Sequence, residues 1–211
     1  MTILGFSSSP VRSGNVDRMV EALLRLSGKE AEFVNLNDLD YGPCMACPHL
    51  CAPDNICKLD DGLRPYYEKI IDAEAVVLGS PSYFGGANSA MTMFLERLWA
   101  LRHNRYPITG KPFTVVSSAG FRNPEAPIEA VKKRMTAYRA EYIGGVAFLS
   151  EIAPCFVCGD GLTCRVGSFW TTQGEEGQER LRAGRGLFRR WEDSSEASRE
   201  IEALGRKLAA L

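Results

Sequence analysis

Residues 1–16 read Met1-Thr2-Ile3-Leu4-Gly5-Phe6-Ser7-Ser8-Ser9-Pro10-Val11-Arg12-Ser13-Gly14-Asn15-Val16. The first six form an apolar run of strand length that stops at a serine-rich loop containing a proline, which suits a buried strand followed by a turn. Val16, Met19, Val20, Leu23 and Leu24 then recur at i, i+3, i+4, i+7 and i+8, predicting an amphipathic helix over about 14–27. Ser13 stands where an N-cap belongs, and Gly28 where a C′ glycine ends a helix.

Working outward, the same alternation continues. Ala31–Leu36 reads as a second strand, and a cysteine-rich loop follows it. Leu63, Tyr66, Tyr67, Ile70 and Ile71 mark a helix, and Ala75–Gly79 a third strand. Met91, Phe94, Leu95, Leu98 and Trp99 give another helix, then Pro112–Ser117 a fourth strand. Ile128, Val131, Met135 and Tyr138 give a helix, and Tyr142–Leu149 a fifth strand. Ile201, Leu204, Leu208 and Leu211 line a terminal helix, while residues 171–186, rich in Gly, Glu and Arg, read as an extended arm. Strands that alternate with helices predict an α/β fold: a doubly wound, five-stranded parallel sheet covered on both faces. The order taken for it is 2-1-3-4-5, one of the common orders of such sheets, with a cysteine-rich insertion at 40–61 and a C-terminal helical arm. The expected division is 1–165 for the sheet domain and 166–211 for the arm and last helix.

Composition narrows the function classes. The chain has 211 residues, 45% of them hydrophobic, enough for one ordinary core. Its 25 basic and 26 acidic residues nearly cancel, so bulk charge gives no reason to expect nucleic acid as a partner. No apolar run approaches the roughly 20 residues that span a bilayer, so no membrane partner is expected. The N-terminus enters a strand directly and lacks a secretory leader, which places the protein in the cytoplasm, where thiols stay reduced.

Three loops share one edge of the expected sheet. The first, residues 7–15, puts hydroxyls and backbone N–H groups at the positive end of the first helix, where an anion is favoured. It is neither a Walker A motif nor a G-x-G-x-x-G fingerprint, and it suits a phosphate monoester such as FMN; the plainer reading is a serine-rich helix cap. Pro81-Ser82-Tyr83-Phe84-Gly85-Gly86 follows the third strand, and Ser117-Ser118-Ala119-Gly120-Phe121-Arg122 the fourth. In order 2-1-3-4-5 all three loops meet at the switch point beside strand 1, where such folds bind FMN. Glycines beside Tyr83 and Phe84 would let backbone and ring approach a flat ligand.

Cys44, Cys47, Cys51 and Cys57 fall within fourteen residues. A disulfide framework is disfavoured by compartment and by the crowding of adjacent bridges in so short a loop. A structural zinc site is open, although zinc ribbons separate two Cys-x-x-Cys pairs by a dozen or more residues. The gaps of two, three and five come close to the tight wrapping of a [4Fe–4S] cluster. Four reduced thiols without metal are the remaining reading.

Taken together, Ser7-x-Ser9-Pro10 with Gly14-Asn15, Pro43-Cys44-x-x-Cys47 through Cys57-Lys58-Leu59-Asp60-Asp61, and Pro81-x-Tyr83-Phe84-Gly85 resemble the iron–sulfur flavoproteins of the NADPH-dependent FMN reductase family. The resemblance covers most of the chain and fades from about residue 165. It implies a flavodoxin-like fold and an FMN phosphate held by Ser7, Ser9, Val11, Arg12, Ser13, Gly14, Asn15 and Val16. The isoalloxazine would lie against Pro81, Ser82, Tyr83, Phe84, Gly85, Ser118, Ala119, Gly120 and Arg122, with a [4Fe–4S] cluster on Cys44, Cys47, Cys51 and Cys57. It further implies an oxidoreductase transferring electrons from a ferredoxin-like donor or NAD(P)H, assembled as a homo-oligomer, a dimer or tetramer, with flavin and cluster near an interface. Family members often carry arginine after the proline and threonine after the asparagine, where this chain has Val11 and Val16; Arg12 offers a replacement charge. The three-residue gap before Cys51 replaces the more usual two. An NAD(P)H-dependent FMN or quinone reductase with zinc in the cysteine loop, and a cluster-based redox sensor, are the rival readings.

A second group, Cys155, Cys158 and Cys164, follows the fifth strand. Strands 2 and 5 lie at opposite edges, so at ~4.8 Å per strand the two cysteine loops start about 19 Å apart. They are not expected to share a cluster within one subunit. An intersubunit site, a second cluster completed by Asp160 or an outside ligand, and a plain reduced-thiol loop all remain open. His49 and His103 carry no clear role, and no nucleophile–base pair or carboxylate dyad supports hydrolysis.

Overall fold

A computed structural model of the chain describes residues 2–120, 122–150, 163–183 and 189–211. β1 (Thr2–Ser7), β2 (Glu30–Asn35), β3 (Ala75–Tyr83), β5 (Pro112–Ala119) and β6 (Glu141–Leu149) form a parallel sheet in the order β2-β1-β3-β5-β6. This is the expected 2-1-3-4-5 order with one addition. β3 runs on to Tyr83 and turns back antiparallel into a two-residue β4 (Gly86–Ala87), giving six strands in place of five. Phe84 and Gly85 at the tip both have positive φ, 51° and 72°, as a two-residue I′ hairpin requires.

Period-2 alternation along the strands sends side chains to two cores. Leu4, Phe6, Leu78, Phe113 and Val115 face α3 (Tyr66–Asp72), α4 (Ser89–Arg97) and α5 (Ala126–Ala137). Ile3, Val77, Val116 and Val146 face α1 (Asn15–Leu26) and α7 (Ser195–Ala209), which pack on each other. Ile201, Leu204 and Leu208 thus share a core with Met19, Val20 and Leu23, so the last helix is built into the sheet domain. A four-residue turn of helix, α2 (Pro48–Cys51), lies in the cysteine loop. α6 (Ser168–Ala183) is helical where an extended arm was expected, with a break at Gly174, whose φ is 61°. Cys155, Cys158 and Asp160 lie outside the described residues.

At the end of α1, Gly28 adopts φ 66°, as a C′ glycine should. At its start the expectation shifts by one residue. Ser13 has φ 51° and Gly14, extended at φ −71°, is the N-cap, with no side chain capping the helix.

α1 lies close against the sheet because two strand positions lack a side chain. A Cβ on Gly79 would come within 2.6 Å of Val20 and 2.8 Å of Val16, and one on Gly5 within 2.7 Å of Val20 and Leu24. Gly79→Ala is therefore expected to cost about 1–3 kcal/mol by overpacking, read as a lower urea midpoint. An unchanged midpoint would mean that α1 has room to move off the sheet.

Candidate functional site

The loop between β1 and α1 is assembled around one carboxylate. Asp17 in the first turn of α1 is buried and accepts from the Ser7 hydroxyl at 2.5 Å, the Ser13 N–H at 3.0 Å and the Asn35 amide at 3.3 Å. Burial raises its pKa, while the bonds from Ser7 and Ser13 and the charge of Arg12 pull the other way. Ser7 is thereby turned inward, and it is not among the residues that line the cavity described below. Carbonyl groups of the loop are also occupied. The Asn37 amide donates to the Ser8 and Ser9 carbonyls, Asn35 to Ser9 and Asn88 to Ser8. Ser9 Oγ accepts from the Val11 N–H at 3.2 Å, and a Cβ on Gly14 would sit 2.9 Å from the Val11 carbonyl. The outcome is a tight turn whose acceptors face protein, leading into the uncapped first-turn N–H groups of α1.

Those groups open onto a cavity of about 860 Å³ at the C-terminal edge of the sheet. It is lined by Ser9, Val11, Arg12, Ser13, Gly14, Asn15 and Val16 from the first loop. Pro81, Ser82, Tyr83, Phe84 and Gly85 come from the β3–β4 hairpin, and Ser118, Ala119, Gly120 and Arg122 from the end of β5. Phe84 stands fully exposed at the hairpin tip, and the Ser82 hydroxyl ties the hairpin to the Asn123 carbonyl at 3.2 Å. Arg12 makes a two-pronged pair with Asp38, at 2.5 and 2.9 Å, on an exposed rim.

The cysteine loop packs against the other face of the sheet, the one that carries α3 and α4. Its base is closed where the Gly62 N–H donates to the Asp40 carbonyl at 2.8 Å. Asn55, buried and at φ 62°, donates to the Ala100 and Arg105 carbonyls and accepts from the Arg105 N–H, and Asn104 donates to Ala52. Cys51 and Cys57 are buried within the core, and Cys44 and Cys47 are half-buried on either side of Ala46, which has φ 50°. Burial raises the Cys51 pKa, and the nearby Cys57, Cys47 and Cys44 push it the same way. Arg97, wholly buried, donates from Nη2 to Cys57 Sγ at 3.4 Å. Among the described residues, no three His, Cys, Asp or Glu side chains are gathered as they would be around a bound ion.

The model of the NADPH-dependent FMN reductase family matches residues 1–154, well over half of the chain. The chain belongs to that family. An iron–sulfur flavoprotein of Methanocaldococcus jannaschii is 35% identical over 105 residues, 48% of this chain and 54% of that protein. One from Methanosarcina thermophila is 28% identical over 58% of this chain and 65% of its own length. An Archaeoglobus fulgidus iron–sulfur flavoprotein is 27% identical over 83% and 85%. The chain thus spans little more than half to under two thirds of the first two relatives. Among solved structures, an azoreductase from Bacillus anthracis superposes with a TM-score of 0.60 at 11% identity, covering 100% of both chains. An archaeal flavodoxin does so at 0.55 and 14%, covering 100% of this chain and 97% of its own. These structural likenesses establish the flavodoxin-like fold.

Six residues of this FMN reductase family member line the cavity without having been expected there: Pro10, Arg18, Asn123, Ser150, Arg189 and Arg190. Arg18 follows Asn15 by three residues on α1, a spacing that was readable. Its guanidinium bonds the Ser13 carbonyl at 2.5 Å, Asn15 Oδ1 at 2.7 Å and Glu192 at 2.6 Å. Asn15 in turn donates to the Arg189 carbonyl and accepts from the Trp191 N–H. A C-terminal segment is so clasped to the first loop across more than 170 residues, for which no local signal exists. Replacing Asp17 by alanine strands the Ser7 hydroxyl, the Ser13 N–H and one Asn35 donor, and should cost about 2–3 kcal/mol of stability. A urea midpoint for Asp17→Ala equal to that of wild type would show that the loop holds its shape without the carboxylate.

Proposed function

We propose that this chain is an FMN-dependent oxidoreductase that carries electrons between FMN in the cavity and a [4Fe–4S] cluster in the cysteine loop. The observation that carries the reading is the convergence of three loops and an uncapped helix N-terminus on one cavity. Its volume falls within the usual 300–1,000 Å³ of cofactor sites, and its residues fit the group. The backbone N–H groups of Asn15 and Val16 would take the phosphate, joined by the Ser9 hydroxyl once it turns from the Val11 carbonyl it now donates to, with Arg18 and Arg12 supplying positive charge nearby. Pro81, Ser82, Tyr83, Phe84, Gly85, Ser118, Ala119, Gly120 and Arg122, which line the rest of the cavity, would hold the isoalloxazine. When bound, FMN supplies one- and two-electron chemistry and the cluster single-electron steps.

Cys44, Cys47, Cys51 and Cys57 hold the irons. An all-thiol donor set in one short loop, two of them in the core, suits soft iron better than a carboxylate-preferring ion. The names of the relatives from Methanocaldococcus, Methanosarcina and Archaeoglobus support the same reading. Were a cluster held there, the half-buried Cys44 and Cys47 would join the buried Cys51 and Cys57 as its ligands. The electron donor is a ferredoxin-like protein or NAD(P)H, the latter in keeping with the description of the family. Exposed Tyr83, Phe84, Met45 and Leu50 lie on the two loops that carry the sites, which supports a homo-oligomer, a dimer or tetramer, that covers them. No helix among the described residues is long and apolar enough to cross a membrane.

Cys44→Ala, Cys47→Ala and Cys57→Ala should each lose iron and sulfide while retaining FMN; full iron in all three would sink the cluster assignment. Ser9→Asp places a carboxylate at the expected phosphate and should weaken FMN binding at least about tenfold in a fluorescence titration. Unchanged affinity in both Ser9→Asp and Ser13→Asp would move the phosphate elsewhere.

A further inference from the structure

α4 ends on an arginine that has no contact with solvent. The Arg97 side chain is 0% exposed, and its guanidinium is shared among three acceptors. Nη1 donates to Asp61 Oδ2 at 2.6 Å and to the Gly42 carbonyl at 2.8 Å. Nη2 donates to Asp61 Oδ1 at 3.2 Å and to Cys57 Sγ at 3.4 Å, and Nε is buried without a partner. The Tyr67 hydroxyl fixes the backbone behind it, donating to the Arg97 carbonyl at 2.7 Å. Burial opposes the guanidinium charge, yet the bond to Asp61, together with Tyr67 and Cys57, keeps its pKa above the usual arginine value.

Stability alone gives poor reason for such an arrangement. A buried ion pair is often no more stabilising than apolar residues of the same volume, and here one guanidinium donor goes unpaired as well. What the pair achieves is placement: Asp61 fixes the plane of the guanidinium so that one N–H points at one sulfur.

We propose that Arg97 is a positioning residue of the cysteine site, held by Asp61 so that its N–H···S bond to Cys57 raises the reduction potential of the cluster. The inference rests on the cluster reading above. In the couple concerned, one electron enters the cluster from a low-potential donor of the ferredoxin class, and no bond is made or broken. The added negative charge spreads onto the ligating sulfurs, so a cation and an N–H at Cys57 stabilise the reduced form more than the oxidised one. Asp61 has the opposite electrostatic effect and moderates the charge of its partner.

Asn at position 61 keeps an acceptor oxygen for the guanidinium while removing the negative charge, so Asp61→Asn and Arg97→Gln should shift the potential in opposite directions. Wild type, Arg97→Gln and Asp61→Asn are purified without oxygen, assayed for iron, sulfide and FMN, and titrated with dithionite while the reduced cluster is followed by electron paramagnetic resonance. Arg97→Gln should lower the cluster midpoint by about 59 mV or more, a tenfold change for one electron, and Asp61→Asn should raise it. FMN content reports the fold; where one variant does not fold, the sign of the other decides. Wild-type midpoints in iron-loaded variants, shifts of the same sign, or loss of FMN and iron in both variants would overturn the proposal. Wild-type protein without iron and sulfide would instead overturn the cluster reading, and this inference with it.

Discussion

The Asp17 carboxylate, buried beneath the β1–α1 turn, is the constraint that the rest of the site depends on. A charged group is not buried there without donors, and the donors come from β1, from the turn itself and from the end of β2. By meeting that requirement the chain turns Ser7 inward, fixes Ser13 in the left-handed region and brings the turn against the sheet. Asparagine amides then occupy the carbonyls of Ser8 and Ser9. What faces the cavity is the remainder: N–H groups and hydroxyls at the positive end of α1. Preference for an anion in the proposed FMN site would thus follow from how the acceptors of the turn are disposed of, more than from any one residue that touches the ligand.

A similar logic operates at the cysteine loop, with the sign reversed. There a buried cation, Arg97, draws Asp61, the Gly42 carbonyl and Cys57 together, while Asn55 and Asn104 tie the loop to the segment after α4. The loop is therefore anchored at its base and at its far end, and its half-buried thiols lie between fixed points. Anchoring of this kind would limit the ordering cost of inserting the proposed cluster.

Much of this was legible in the residues, for identifiable reasons. Short apolar runs bounded by loops located the five long strands, a period of 3.6 located the helices that pack on them, and the strand order brought residues 9, 11–16, 81–85, 118–120 and 122 to one cavity. Ser7 was misplaced because a serine in such a loop offers its hydroxyl equally to a ligand or to a buried carboxylate. The short β4 escaped notice because two residues carry no periodicity. Arg97 carries no local sign of its contacts, since arginine near a helix C-terminus is favoured in any case. Arg189 and Arg190 join the cavity through a clasp to Asn15 and Arg18, a tertiary contact that no local pattern encodes. Residues 171–186, with several glycines and charges, read as an extended arm, whereas over Ser168–Ala183 two helical stretches meet at Gly174.

The two centres make one claim in common: a single chain carries both a flavin and a thiolate-bound iron cluster. The most direct measurement is the cofactor content of protein purified without oxygen, with iron, acid-labile sulfide, zinc and acid-released flavin all determined per chain. The account predicts about one FMN with about four irons and four sulfides, and no zinc. One zinc per chain without sulfide, or iron and sulfide in protein that takes up no FMN, would contradict it.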